Sequence, residues 1–148
     1  MMIDNLPDEV KFQLVHEMPA DVAVGEQISM TVPDNVRRLY LSISLQLTTA
    51  AGGSSRRPQP QGQTTGGLPF YMVDTSLGVG GSATMGFLYT MNLGRSLAPI
   101  GGNFVSALMP PDFWLEGGDL FVIDVVNFGA SDRIQKLSLR YKEWVYPQ

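Results

Sequence analysis

Few side chains in this sequence could do acid–base or ligand chemistry. Asp112, Glu116 and Asp119 share the stretch PPDFWLEGGD, and Asp124 stands among valines and isoleucine in LFVIDVVN. Paired carboxylates are the one catalytic constellation the composition allows. A glycosidase would hold two of them roughly 5–5.5 or 6.5–9.5 Å apart across a sugar cleft. Nothing in the spacing marks such a cleft, so the three loop carboxylates are expected as turn formers. Asp124 is expected on the less buried face of its strand, or paired with Arg140 or Lys142. Hard oxygen ligands in 112–119 would suit calcium, but the EF-hand spacing is absent. His16 is the one histidine, and it continues the Val10/Phe12/Leu14 side of an alternating run, where a structural hydrogen bond accounts for it. Gly78, Gly80 and Gly81 have the look of a phosphate loop without the Lys-Ser/Thr pair or the βα alternation that one needs.

Composition narrows the field further. The 148 residues contain no cysteine, which removes disulfides, thiolate nucleophiles and sulfur-ligated metals. Ten Lys and Arg against fourteen Asp and Glu give a net charge of −4, unfavourable for a phosphate backbone, so no nucleic-acid partner is expected. The acidic start MMIDNLPDEV has neither a basic nor an apolar signal region. No run approaches the ~20 apolar residues of a membrane span, so no export signal, membrane partner or cofactor is expected. Sixteen Gly and ten Pro among short Val/Ile/Leu/Tyr runs suit an all-β domain with many turns.

The elements that would position these groups follow from alternation. Met1–Glu9 is expected as an N-terminal arm and residues 10–148 as one β-sandwich domain. Val10–Met18 and Ile28–Val32 alternate as strands. In Val36–Thr49 the residues Leu39, Leu41, Ile43, Leu45 and Leu47 would face the core, with Tyr40, Ser42, Ser44, Gln46 and Thr48 opposite. Pro69–Asp74 reads as a short buried strand and Met85–Asn92 as a further strand, and Asn103–Met109 returns to apolar character. Leu120–Asn127 has Phe121, Ile123 and Val125 on one face. It is expected to form a hairpin with Ile134–Val145, whose Leu137, Leu139, Tyr141 and Val145 alternate with Lys136, Ser138, Arg140 and Lys142.

Ala50–Leu68, AAGGSSRRPQPQGQTTGGL, has a composition that cannot support a core and is expected as a flexible loop, dispensable for folding. Its Arg56 and Arg57 are candidates for docking on a partner's carboxylates. Tyr40 and Trp114 are the other candidate partner-binding residues. Phe113 and Trp114 would close the end of the sandwich.

The segment PPDFWLEGGDLFVIDVVNFGASDRIQKLSLRYKEWV resembles the closing hairpin of small β-sandwich virion proteins of tailed bacteriophages. The resemblance covers about the last forty residues and the general strand order. It implies a capsid decoration (cement) protein: an antiparallel, jelly-roll-like sandwich with long Gly/Pro-rich loops, seated as a homotrimer on the capsid surface of the virion. There it would bridge capsomers of the major capsid protein without enzymatic activity. The uncharged Tyr/Ser/Gln/Thr strand face would suit burial between subunits. A tail, baseplate or fibre module uses the same fold vocabulary. A carbohydrate-binding module would instead display at least two coplanar aromatics drawn from Tyr40, Phe113, Trp114 and Trp144.

Overall fold

Alternating apolar residues build ten strands and no helix among residues 12–74, 78–91 and 104–146, which the computed structural model describes. The expected arm Met1–Glu9 and the crossing through Gly94–Gly102 lie outside these residues. The strands are β1 (Gln13–Glu17), β2 (Ile28–Thr31), β3 (Val36–Thr48), β4 (Arg57–Gln63), β5 (Pro69–Met72), β6 (Thr84–Thr90), β7 (Phe104–Leu108), β8 (Trp114–Glu116), β9 (Leu120–Val126) and β10 (Arg133–Val145). They form two sheets packed together, as a β-sandwich does. The larger sheet runs β1-β10-β3-β6-β7, with β8 paired to β3, and the smaller runs β2-β9-β4-β5. All pairings are antiparallel except β6 with β7, which is parallel.

The expected closing hairpin does not form. β9 pairs with β2 and β4, whereas β10 pairs with β1 and β3, so the FGASD connection crosses from one sheet to the other. Apolar alternation locates strands but is silent on which strand each one pairs with. The crossing is held by Asp132, wholly buried, whose carboxylate accepts the Ala50 and Gly129 N–H groups at 2.8 Å each. Arg56 completes the knot, donating to Asp132 through Nε at 3.0 Å and Nη2 at 3.3 Å, and to the Gly52 carbonyl at 2.7 Å.

β3 departs from strict alternation. Ser42 pairs with Arg140 but Tyr40 pairs with Tyr141, so Leu41 is one residue too many, a β-bulge. Beyond it the faces exchange. Ile43, Leu45 and Leu47 point into the core as expected, but Tyr40 joins them there, fully buried, while Leu39 and Leu41 are only partly buried. A second bulge in β10 places Lys136 at φ 52° between the Gln135 and Ser138 pairs. Val145, expected inward, is half exposed.

The expected loop 50–68 contains β4, the strand between β9 and β5. Its prolines made a strand improbable, since proline cannot donate to a ladder. Their position resolves this. The Pro60 carbonyl accepts the Val73 N–H on the β5 side, and the β4–β5 pairing begins only at Gln61. The donors missing at Pro58 and Pro60 would thus point away from β9, past the end of β5, so no bond to β9 is lost. Gly62 is required for close approach, because a Cβ there would lie 2.6 Å from Leu115 Cδ2. β8 also went unforeseen, in a stretch dominated by prolines and carboxylates.

Aromatic rings join the two sheets at the β8 end. Tyr40 stacks on Phe121 at 4.9 Å and meets Tyr141 at 5.3 Å and Phe113 at 5.6 Å, while Phe113 stacks on Tyr71 at 5.2 Å. Such pairs each contribute about 0.5–1.5 kcal/mol beyond the area they bury.

Candidate interaction surface

At the same end, β1, β10, β3 and β8 lie side by side, and alternation turns one set of their side chains outward. Two rows cross these strands. One joins Trp144, Arg37 and Glu116; the next joins Leu14, Lys142, Leu39 and Trp114. Trp144 contacts Trp114 at 5.1 Å and Phe12 at 5.4 Å between ring centroids. The Arg37 guanidinium lies 4.1 Å over the Trp114 ring and the Lys142 ammonium 4.7 Å over Phe12. Phe12 and Leu14 remain 48% and 57% exposed, so water meets an apolar, cation-studded surface here. Beside it a shallow pocket of about 350 Å³ is lined by Asp34, Val36, Arg37, Glu116, Gly117 and Tyr146.

The inward set of the same strands is polar where the sheet outruns the core. Arg38 donates to Glu143 at 2.8 Å and lies 4.5 Å over the Tyr141 ring, and the Tyr141 hydroxyl donates to Glu17 at 2.5 Å. Burial, reinforced by the Glu17 hydrogen bond, raises the Tyr141 pKa. Burial likewise pushes the Tyr40 hydroxyl up to about 12, partly offset by the neighbouring Arg38. That hydroxyl has the Arg38 guanidinium as a neighbour but makes no well-formed hydrogen bond.

The four candidate residues do not converge. Arg56 is 5% exposed and committed to Asp132, and Tyr40 is in the core; neither can reach a partner. The sequence could not show this, because the acceptor for Arg56 lies 76 residues away. Arg57 is partly exposed and 3.7 Å from Asp74 on the smaller sheet. Trp114 alone of the four belongs to the outward platform. Phe12, Arg37, Arg140 and Lys142 were not foreseen as members, although the alternation of β10 already set Arg140 and Lys142 on one face.

Two of the loop carboxylates are engaged structurally. Asp119 accepts the Glu116 N–H at 2.8 Å, as a turn former does, and Glu116 lies 3.5 Å from Arg37 Nε. Asp124, on β9, faces out from the smaller sheet, whereas Arg140 and Lys142 face out from the larger; the pairing considered for it does not occur. His16 Nε2 lies 2.6 Å from Ser138 Oγ, the single structural hydrogen bond anticipated. Among the described residues no three His, Cys, Asp or Glu side chains gather to hold a metal ion. What the surface offers is non-covalent contact through rings, aliphatic groups and guanidinium or ammonium charge. Comparison with family models, curated proteins and solved structures finds no match to this chain.

Proposed function

We propose that this chain is a structural protein of a tailed-phage virion, which decorates and stabilises the capsid by bridging capsomers of the major capsid protein as a homotrimer, without enzymatic activity. The observation that carries the proposal is the strand order. With β7 and β8 set aside, eight strands remain, and they pair first with last: β1 with β10, β2 with β9, β3 with β6 and β4 with β5. That is a long hairpin wrapped into two sheets, which supports a jelly roll, an architecture of viral capsid domains, lectins and cupins. Fold alone does not choose among these, and the capsid reading is an analogy at that level.

Residue chemistry favours the first of the three. A cupin-type centre would draw on several histidines, and this chain has one. A sugar platform would offer coplanar rings, but Trp114 and Trp144 are inclined at 42° and Phe12 and Trp144 at 50°, with Arg37 on a face of Trp114 and Lys142 on a face of Phe12. Trp, Phe and Arg at an exposed sheet face are instead the residue types that dominate protein–protein contact energies.

The test is co-sedimentation with empty shells assembled from the accompanying major capsid protein. The purified chain should pellet with the shells. A chain that stays in the supernatant with intact shells would end the proposal.

A further inference from the structure

The outward face of the larger sheet has an unusual charge for a protein that is acidic overall. Arg37, Arg133, Lys136, Arg140 and Lys142 all belong to it. Arg37 and Lys142 lie over Trp114 and Phe12, Arg140 is paired in register with His16 and Ser42, and Arg133 with Thr48. Lys136 lines a second shallow pocket of about 290 Å³ with Ser44, Gln46, Gly86 and Phe104. The described carboxylates that reach the face or its edge are Glu116, beside Arg37, Asp21, which accepts the Lys136 N–H at 2.8 Å, and Asp34, which shares the edge pocket with Arg37 and Glu116. Among the described residues, five cations and three carboxylates make the face net +2. The other described residues hold three cations and eight carboxylates, a net charge of −5.

We infer that this face binds a second copy of the chain, meeting an acidic surface of its neighbour in a head-to-tail contact. The complementary charge is supplied by the molecule itself. A two-fold contact through the same face would set +2 against +2, whereas a cyclic contact pairs two different surfaces. The basic face then selects against a two-fold dimer and for a closed ring, steering the encounter before the apolar groups touch. Phe12, Leu14, Leu39, Trp114 and Trp144 supply the area to be buried once the charges have aligned the copies. The alternative polyanion, nucleic acid, fits less well. Bases stack on open ring faces, and here the rings tilt against one another and carry cations on Trp114 and Phe12. The inference deepens the homotrimer reading above by naming its interface.

The test is light scattering of the full chain and of Arg140→Glu/Lys142→Glu at about 0.05 M and about 0.5 M salt, where the screening length shrinks by more than half. Both substituted residues lie on the outward face and Arg140 forms no ion pair or hydrogen bond among the described residues, so folding should persist, as circular dichroism would verify. A milder Arg140→Gln/Lys142→Gln pair guards against over-perturbation. The parent should associate near three times 16.2 kDa at low salt. Its apparent dissociation constant should rise about tenfold or more in high salt, and the reversed variant should be monomeric at both. A parent that is monomeric at low salt, or association equal in the charge-reversed variant or indifferent to salt, overturns the inference. A monomer that binds an oligodeoxythymidylate would assign the face to nucleic acid instead. Shell co-sedimentation, run in parallel, reports on the capsid reading separately: a monomer that still pellets with shells would refute this interface and leave that reading standing.

Discussion

Replacing Asp132 with Ala should be among the most damaging single substitutions this fold can suffer. The carboxylate is wholly buried and receives four hydrogen bonds, from Ala50 N, Gly129 N and two nitrogens of Arg56, which is itself 5% exposed. Its loss leaves a guanidinium buried without its anion, which costs about 3–5 kcal/mol in comparable pairs. Two backbone N–H groups are also orphaned, at about 1–3 kcal/mol each where water cannot reach. These terms overlap, so the expectation is about 4 kcal/mol, a large share of the ~5–15 kcal/mol by which domains are stable. In urea, with a slope near ~2 kcal/mol/M, the midpoint should fall by about 2 M. A fall of less than ~0.5 M would refute the reasoning. A double-mutant cycle isolates the pair. Arg56→Met/Asp132→Asn should be more stable than Asp132→Asn alone by about 1–2 kcal/mol, because the second change removes the stranded charge. Burial by itself would raise the Asp132 pKa, but the Ala50 and Gly129 N–H groups and Arg56 hold it below the usual carboxylate range. The stability this contributes is full above the unfolded value of about 3.9 and is lost as pH falls through the folded value. The gap between parent and Asp132→Asn should therefore narrow on acidification below about pH 4.

Three further predictions concern the core and the strand β4. Tyr40→Phe removes a buried hydroxyl that makes no well-formed hydrogen bond, so stability should be unchanged or should rise by up to about 1 kcal/mol; a loss of more than ~1 kcal/mol in denaturant titration would show that the hydroxyl is bonded to Arg38. In the parent, absorbance titration should find Tyr40 ionising only near pH 12, with the corresponding stability lost between the unfolded value of about 10 and that point. Deleting residues 50–68 removes β4 and Arg56 together, separating β5 from β9, so the product should lack a cooperative unfolding transition; a folded deletion mutant with native circular dichroism would contradict the topology.

What the sequence disclosed and what it hid divide along a physical line. Strand positions were legible wherever one face is apolar, because period-two alternation is a local signal; β1, β2, β3 and β10 were all located by it, and β9 by its apolar run. Partnership was not legible, because many of the pairings join residues far apart in sequence, as Arg38 with Glu143, 105 positions on. The β9–β10 stretch looked like a hairpin for this reason: two strands and a short turn are common to a hairpin and to a sheet crossing. The two misassigned candidates failed in the same way. Arg56 in a Gly/Ser/Pro/Gln-rich stretch looks solvent-directed until Asp132 is found behind it, and Tyr40 looks outward until the Leu41 bulge reverses the face.

The surface that did emerge is a product of those same hidden pairings. Trp114, Trp144 and Arg37 come from three strands and Phe12 from the residue before β1, and only the order β1-β10-β3-β8 sets them side by side. The bulge at Leu41 is part of the mechanism: it frees Leu39 from the core while sending Tyr40 inward to stack on Phe121. The residue that locks the two sheets and the residue that widens the apolar platform are therefore neighbours set to opposite faces. Straightening the bulge by deleting Leu41 would have to choose between them, either exposing Tyr40 or shifting every residue on the Val36 side by one face. The proposed contact with a neighbour draws on Leu39 and Trp114 together, and so gives the chain a reason to keep that irregularity, whatever it costs the sheet.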